Sequence, residues 1–263
     1  MTLSEPNTAP NTAPGTALVT GAAHRIGQAI ALGLAADGWA VAIHYHRSQD
    51  AAESLSDDIN AKGGRAVAVA ADLTDEDQTA ALLPDAGKVL GPINCLVNNA
   101  SVFEHDDVAS ATRESWDAHI ETNLRAPFVL TQCFARQLPK DMTGNVINLL
   151  DQRVANLTPY FLSYTLSKSG LWSLTRTLAL ALAPRIRVNG IAPGPVLPSA
   201  RQSAEQFAGQ SAATPLGRAI TPEEIYAGVR FILQAEAMTG QMIALDSGQH
   251  LNWSAARGNG AED

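Results

Sequence analysis

The sequence predicts an α/β protein of one domain, built on a doubly wound parallel sheet of about seven strands. Three observations predict it. Short apolar runs of strand length alternate with longer helical runs from about residue 16 to 250, and that alternation places crossover helices on both faces of a parallel sheet. Glycine and proline punctuate the element ends, as at Gly21, Gly63-Gly64, Gly91-Pro92 and Pro193-Gly194. At 263 residues and 46% hydrophobic, the chain can bury one large core.

Composition narrows the function. The formal net charge of -8 argues against a nucleic-acid or anionic-membrane surface, and no apolar run reaches the roughly 18 residues of a membrane span. The two cysteines, Cys95 and Cys133, sit among apolar neighbours; with no disulfide framework, a reducing cytoplasm is the expected location. The opening M-T-L-S-E-P-N-T-A-P-N-T-A-P has neither the basic nor the apolar region of a signal peptide. Residues 1–15 and 254–263 read as flexible tails around a domain at 16–253. His105, His119, the cysteines and the tryptophans lack metal-ligand spacing, so no metal is expected.

Taken in order, Ala17 to Thr20 is a first strand, and Gly21-Ala22-Ala23-His24-Arg25-Ile26-Gly27 turns into a helix carrying Ile30, Leu32 and Leu34. Strand, glycine turn and helix aim backbone N–H groups at a phosphate, so Thr20, Gly21, His24, Arg25, Ile26 and Gly27 are candidate dinucleotide contacts. The second strand, Trp39 to Ile43, ends in His44-Tyr45-His46-Arg47-Ser48. An acid there would hold an adenosine 2′-hydroxyl, whereas arginine accepts a 2′-phosphate. Arg47 and Ser48, with His46 and His44 beside them, therefore favour NADPH over NADH.

A helix from Asp50 to Lys62 leads to the strand Ala66 to Ala70 and then to Asp72-Leu73. Asp72 and the Leu73 backbone can contact an adenine ring, and Asp72 can also cap a helix starting near Thr74. After the strand Ile93 to Val97, Asn98-Asn99-Ala100-Ser101 can admit a cofactor closely, hydrogen-bond it or brace the central sheet. Phe103, just beyond, can stack on a planar substrate or pack beneath its loop. A long helical region from Thr112 to about Leu138 holds Asn123, whose amide among apolar neighbours needs a specific partner, and Pro127 is expected to adjust that helix.

The strand Gly144 to Leu150 delivers Asp151 to the same crevice. In the following helix Tyr164 and Lys168 stand four apart, hence on one face. An ammonium near a phenol favours the phenolate, so Lys168 is expected to lower the Tyr164 pKa for proton transfer. The rest of this helix, to Pro184, is apolar enough for more than one buried face, which suggests a subunit interface. A sixth strand, Arg187 to Ala192, turns at Pro193-Gly194-Pro195; residues 195–218 form a long connection of lid type. Thr221 caps a final helix at Pro222, and Gln241 to Leu245 is the last strand.

From about residue 16 to 250 these motifs resemble the short-chain dehydrogenase/reductase family: Thr20-Gly21 to Gly27, Asn98-Asn99-Ala100, Asn123, Tyr164-x-x-x-Lys168 and Pro193-Gly194 fall in its order. The resemblance implies a Rossmann-type fold, hydride transfer with Tyr164 exchanging the proton, Lys168 on the nicotinamide ribose, Asn123 supporting a water-linked proton path, and a homotetramer or dimer. It places Asn99, Ala100, Ser101, Pro193 and Gly194 along the cofactor. Two positions depart from the family, one of them Arg25 in the glycine turn. Thirteen residues before the tyrosine, where a serine usually donates to a carbonyl, stands Asp151; a carboxylate cannot donate and repels a developing alkoxide.

That departure, together with Arg25, His44 to Ser48 and Phe103, resembles the pteridine reductases, including dihydromonapterin reductases. In that subgroup Phe103 and the nicotinamide would sandwich a pterin, with Arg25, Ser101, Asp151 and Tyr164 bonding its edge. The expected function is NADPH-dependent reduction of a pterin-type C=N bond, with Tyr164 and Asp151 supplying the proton. The alternatives are a carbonyl reductase of, for example, a 3-oxoacyl thioester, and an NADPH-sensing protein without turnover, for which Tyr164, Lys168 and Asn123 would be superfluous.

Overall fold

A computed structural model describes residues 14–199 and 201–251. Apart from Pro14 and Gly15, the tails expected at 1–15 and 254–263 lie outside the described residues. Seven strands form one sheet in which every pairing is parallel: β1 (Thr16–Val19), β2 (Ala40–Tyr45), β3 (Arg65–Ala70), β4 (Ile93–Asn98), β5 (Gly144–Leu149), β6 (Ile186–Pro193) and β7 (Met242–Leu245), in the order β3-β2-β1-β4-β5-β6-β7. The order reverses between β1 and β4, and a parallel sheet opens a crevice at such a reversal, beyond the carboxyl ends of the strands.

Alternation along β1 shows why both faces are covered. Ala17 and Val19 join one core with α1 (Arg25–Ala36), α2 (Gln49–Ala61) and α8 (Pro222–Gln234), while Leu18 joins a second core with α3 (Glu76–Leu90), α5 (Ala126–Gln137) and α6 (Leu162–Leu182). Successive strand side chains point to opposite faces, so a run of apolar residues is buried on both. Cys95, fully buried in β4, belongs to this packing, and burial pushes its thiol up to about 12. Buried amides tie the middle of the sheet to α6: Asn98 Nδ2 donates to Asn148 Oδ1, and Asn148 Nδ2 to Thr175 Oγ1, each at 2.8 Å. Asn98 thus braces the sheet. No helix among the described residues is long and apolar enough to cross a membrane.

Three expectations change. The long helix at 112–138 is broken into α4 (Arg113–Ile120), a π-helical turn (Glu121–Arg125) and α5. The adjustment therefore precedes Pro127, which sits in the first turn of α5, and the wider turn carries the buried Asn123. The connection at 195–218 contains a helix of its own, α7 (Ala204–Ala212), started by reciprocal bonds between Ser203 and Gln206. Finally, Asp72 does not cap α3. That cap is Asp75, which accepts from the Gln78 N–H, while Asp72 closes a short turn onto Thr74. Thr221 does cap α8, with Glu224 returning a bond to its N–H.

Candidate active site

Two cavities meet at the crevice, and Arg25 lines both. The larger, about 700 Å³, runs from the glycine turn past the end of β2 to Ala100 and Ser101. Gly21 adopts φ +61°, and a Cβ there would come within 3.0 Å of the Ala100 backbone; at Gly27 a Cβ would meet the Gly21 carbonyl oxygen at 2.3 Å. Only glycine lets β1, the loop after β4 and α1 approach this closely. His24 starts α1 without a side-chain cap, so the first-turn N–H groups stay available to an anion. Ile26 lines the cavity beside them.

Beneath this turn, Thr20 and Asn99 are braces. The buried Thr20 hydroxyl accepts the Asn99 and Ala100 N–H groups at 2.9 Å, and Asn99 Nδ2 donates to the Thr20 and Gly21 carbonyls. Thr20, expected to touch a cofactor, instead lies under the cavity floor. His44 does line the cavity, but its ring is engaged by the backbone around it. Its Nδ1 accepts the Gly21 N–H at 3.0 Å and its Nε2 donates to the Ala71 carbonyl at 3.1 Å. Burial lowers its pKa to about 4, so His44 is a neutral pin for the glycine turn and offers no charge to a phosphate. Exposed His46 and Arg47 and half-buried Ser48 line the cavity mouth, with His46 Nε2 3.5 Å from Asp72 Oδ2. Asp72 and Leu73 complete that wall, and the Thr74 N–H and hydroxyl hold the Asp72 carboxyl below its usual range.

The smaller cavity, about 160 Å³, lies between Phe103, Asp151 and the segment after β6. Pro193 and Gly194, expected along the cofactor, line this second cavity; a Gly194 Cβ would come within 2.7 Å of Asp246 Cα. Arg25, in a left-handed conformation at φ +57°, donates to the Leu197 and Pro198 carbonyls and so ties the segment after β6 to the glycine turn. Arg201 adds a second tie through the Glu104 carboxylate and the Phe103 carbonyl.

At the centre, the Tyr164 hydroxyl donates to Asp151 Oδ2 at 2.8 Å, while Asp151 Oδ1 accepts the Arg153 N–H at 2.8 Å. Lys168 is buried, donates to the Leu149 carbonyl at 2.8 Å and has its Nζ 5.7 Å from the Tyr164 ring centroid. The sequence expectation of an acidified phenol is reversed. Burial, then the Asp151 charge and the hydrogen bond to it, hold the Tyr164 pKa well above 10, against smaller opposing effects of Arg153 and Ser101. Burial pulls Lys168 down to about 8, with Asp151 opposing. This geometry keeps the phenol protonated, as a proton donor requires.

Asn123 finds the partners its burial demanded. Its Oδ1 accepts the Val102 N–H, and its Nδ2 donates to the Val102 carbonyl and the Ser167 hydroxyl, fixing the loop after β4 beside α6. Phe103 stacks on Phe161 with centroids 4.4 Å apart and planes 8° apart, and meets Tyr164 edge-on at 4.7 Å.

Sequence reasoning missed a second set of residues. His119, Ser163 and Asp106 are buried together: His119 Nε2 accepts the Glu104 N–H, its Nδ1 donates to Ser163 Oγ, and Ser163 Oγ donates to Asp106. The Asp106 carbonyl also accepts the Phe161 and Leu162 N–H groups. This network clamps the Phe103 loop to the start of α6, where Phe161 takes a left-handed conformation at φ +58°. Gln152 and Arg153, in a short 3-10 turn after Asp151, were missed too. Their one sequence signal was adjacency to Asp151.

The model of the family described as enoyl-(acyl carrier protein) reductase matches residues 21–250. Among solved structures, FolM alternative dihydrofolate reductase 1 of Brucella suis in complex with NADP is 50% identical with a TM-score of 0.90, covering 93% of this chain and 98% of that one. Its counterpart from Brucella canis, complexed with NADP, is 48% identical at the same TM-score, covering 94% and 98%. A 3-oxoacyl-[acyl-carrier-protein] reductase of Staphylococcus aureus is 32% identical over 239 residues, 89% of this chain and 97% of its own. With the glycine turn, Asn123 and the Tyr164–Lys168 pair at the carboxyl edge of a seven-stranded parallel sheet, the chain belongs to the short-chain dehydrogenase/reductase family.

Proposed function

We propose that the protein is an NADPH-dependent reductase of a pterin-type C=N bond. The observation that carries this reading is the 2.8 Å bond from Tyr164 to Asp151. It sets a protonated acid beside an acceptor that suits N–H groups and disfavours a developing alkoxide.

The larger cavity fits the cofactor. Its glycine approaches, uncapped α1 start and Arg47 at the mouth suit a dinucleotide with a 2′-phosphate, and the Brucella structures, about half identical, are complexes with NADP. Bound there, NADPH supplies a hydride to a ring carbon. Tyr164 gives its proton to the neighbouring ring nitrogen, so that hydride and proton together saturate one C=N bond. The Lys168 ammonium favours the phenolate left behind. Asp151 accepts ring N–H groups while holding the Tyr164 hydroxyl in place, Ser101 and Arg25 bond the ring edge, and Phe103 offers its face. Asn123 holds the loop that carries these contacts. Leu166 and Leu180 remain exposed on α6, and that helix is part of the proposed oligomer surface.

Similarity to 3-oxoacyl reductases at 32% identity supports a second reading, reduction of a ketone. Initial rates of NADPH oxidation with a 7,8-dihydropterin and with an acetoacetyl thioester separate the two. Oxidation confined to the pterin is the expected result; oxidation confined to the thioester would overturn it. Arg47→Ala is expected to weaken NADPH by roughly tenfold or more, the scale of a lost charge-assisted bond, with NADH little changed. Equal weakening of both, measured by fluorescence titration, would remove the 2′-phosphate assignment.

A further inference from the structure

The first turn of α6 carries Tyr164, yet the residue at its cap position, Phe161, offers no side-chain bond and takes the left-handed conformation. The N–H groups there are satisfied from the loop after β4 instead. The Asp106 carbonyl accepts the Phe161 N–H at 2.7 Å and the Leu162 N–H at 3.3 Å, and Asp106 Oδ1 accepts the Ser163 N–H at 3.2 Å. A carboxylate at a helix start satisfies orphan donors and complements the positive end of the helix. Asp106 is thus a cap supplied from 57 residues away, and its last contact falls on the residue before Tyr164.

His119 joins this cap to the loop that carries Phe103. Its Nε2 lies 3.0 Å from the Glu104 nitrogen, whose N–H can only donate, so Nε2 is unprotonated and Nδ1 carries the proton. Nδ1–H donates to Ser163 Oγ at 2.7 Å, and the Ser163 hydroxyl donates on to Asp106 Oδ2. These are the residue types of a hydrolytic triad, but all three are buried and the hydroxyl donates to the carboxylate, so the set holds no nucleophile. The His119 ring meets the Tyr164 ring edge-on at 6.0 Å, and Phe103 meets the same ring at 4.7 Å.

The network works with a neutral imidazole only. Protonating His119 sets an Nε2–H against the Glu104 N–H, donor against donor, next to Phe103. Burial is the largest effect on the ring and holds its pKa below the ordinary 6.5. Asp106 and Glu104 from the loop after β4, and the Ser115 backbone on α4, oppose that effect, while Arg201 from the segment after β6 acts with it. Tyr164, the ionisable neighbour on α6, is an uncharged phenol.

We infer that neutral His119 is a positioning residue for the proton transfer: it holds the Phe103 loop and the first turn of α6 in the register that presents Tyr164 to the substrate, and its protonation releases that register. The inference rests on the reading of Tyr164 as proton donor. His119 itself lines neither cavity and acts through Tyr164 and Phe103.

The test uses the full chain, NADPH and whichever of a 7,8-dihydropterin and an acetoacetyl thioester the unmodified protein reduces, since Tyr164 gives the proton in either reading. kcat of the unmodified protein is expected to hold to below pH 6.5 and then to fall as His119 gains its proton. His119→Gln keeps an acceptor for the Glu104 N–H but cannot titrate. It should retain kcat near neutral pH within about threefold and lose the acid limb. His119→Leu supplies no acceptor and should lower kcat by up to roughly 100-fold, the scale of a misplaced reacting group, with KM for NADPH and substrate little changed. Ser163→Ala removes only the hydroxyl between ring and cap and should lower kcat by roughly tenfold, the scale of a buried hydrogen bond left unmade, again at steady KM. If His119→Leu does not fold, Ser163→Ala and His119→Gln decide. No acid limb in the unmodified protein, a limb unchanged in His119→Gln, or losses that fall on KM rather than kcat would each overturn the inference. Reduction of neither substrate by the unmodified protein would remove the proton-donor reading itself and the inference with it, a separate result that is read before any variant is made.

Discussion

Tyr164→Phe is expected to lower kcat for dihydropterin reduction by roughly 10²–10⁴-fold, the contribution of a positioned general acid, with NADPH affinity nearly unchanged. The substitution removes one oxygen, the one that donates to Asp151 at 2.8 Å. It leaves the ring that packs against Phe103. The pH profile sharpens the assignment. Because Tyr164 is held well above 10, the acid remains protonated across the working range and does not set the alkaline limb. Lys168, drawn down to about 8 by burial, is charged below that pH and neutral above it. Its charge favours the phenolate that forms as the proton leaves, so kcat is expected to fall as pH rises through about 8. A limb above about 9.5 would show that Lys168 does not control the step. Loss of NADPH binding in Tyr164→Phe would show that the phenol serves the cofactor rather than the proton.

The parts of this molecule legible in the sequence are those governed by local chemistry. Alternating strand and helix patterns gave the sheet, and Tyr164 and Lys168 share a helix face because their spacing requires it. Thr221 to Glu224 announced a helix start. What stayed hidden depends on residues far apart in the chain. His44 looked like a phosphate ligand by position, but its two ring nitrogens are used by Gly21 and Ala71, contacts that only the folded sheet defines. The sign of the Tyr164 shift was misread for the same reason: spacing shows Lys168 near the phenol, whereas burial and Asp151, which no helix period reveals, dominate it. The π-helical turn carries Asn123 to Ser167 on α6, and the clamp joining His119, Ser163 and Asp106 ties α4 to the same helix, contacts that no local pattern shows. Function followed local motifs; its tuning followed tertiary contacts.

Asp151→Asn isolates the departure that directs the reading toward a C=N bond. The amide keeps the carboxylate's shape, and one oxygen can still accept either the Arg153 N–H or the Tyr164 hydroxyl, but the charge and the second acceptor are gone. Dihydropterin kcat/KM is expected to fall by roughly 100-fold, because a charge-assisted contact to the ring N–H groups is lost and the acid is held less firmly. The Tyr164 pKa should also fall, since two of the three causes that raise it come from Asp151. Absorbance titration of the phenolate reads that shift directly. Asp151→Ser carries the argument further, since a hydroxyl can donate to a carbonyl oxygen where a carboxylate cannot. It should leave dihydropterin reduction as low as in Asp151→Asn and raise reduction of an acetoacetyl thioester above that of the unmodified protein. If Asp151→Asn instead retains dihydropterin reduction within about threefold, neither the charge nor the second acceptor serves the substrate. Asp151 is then only a support for Tyr164, and the ketone reading gains the ground that the pterin reading loses.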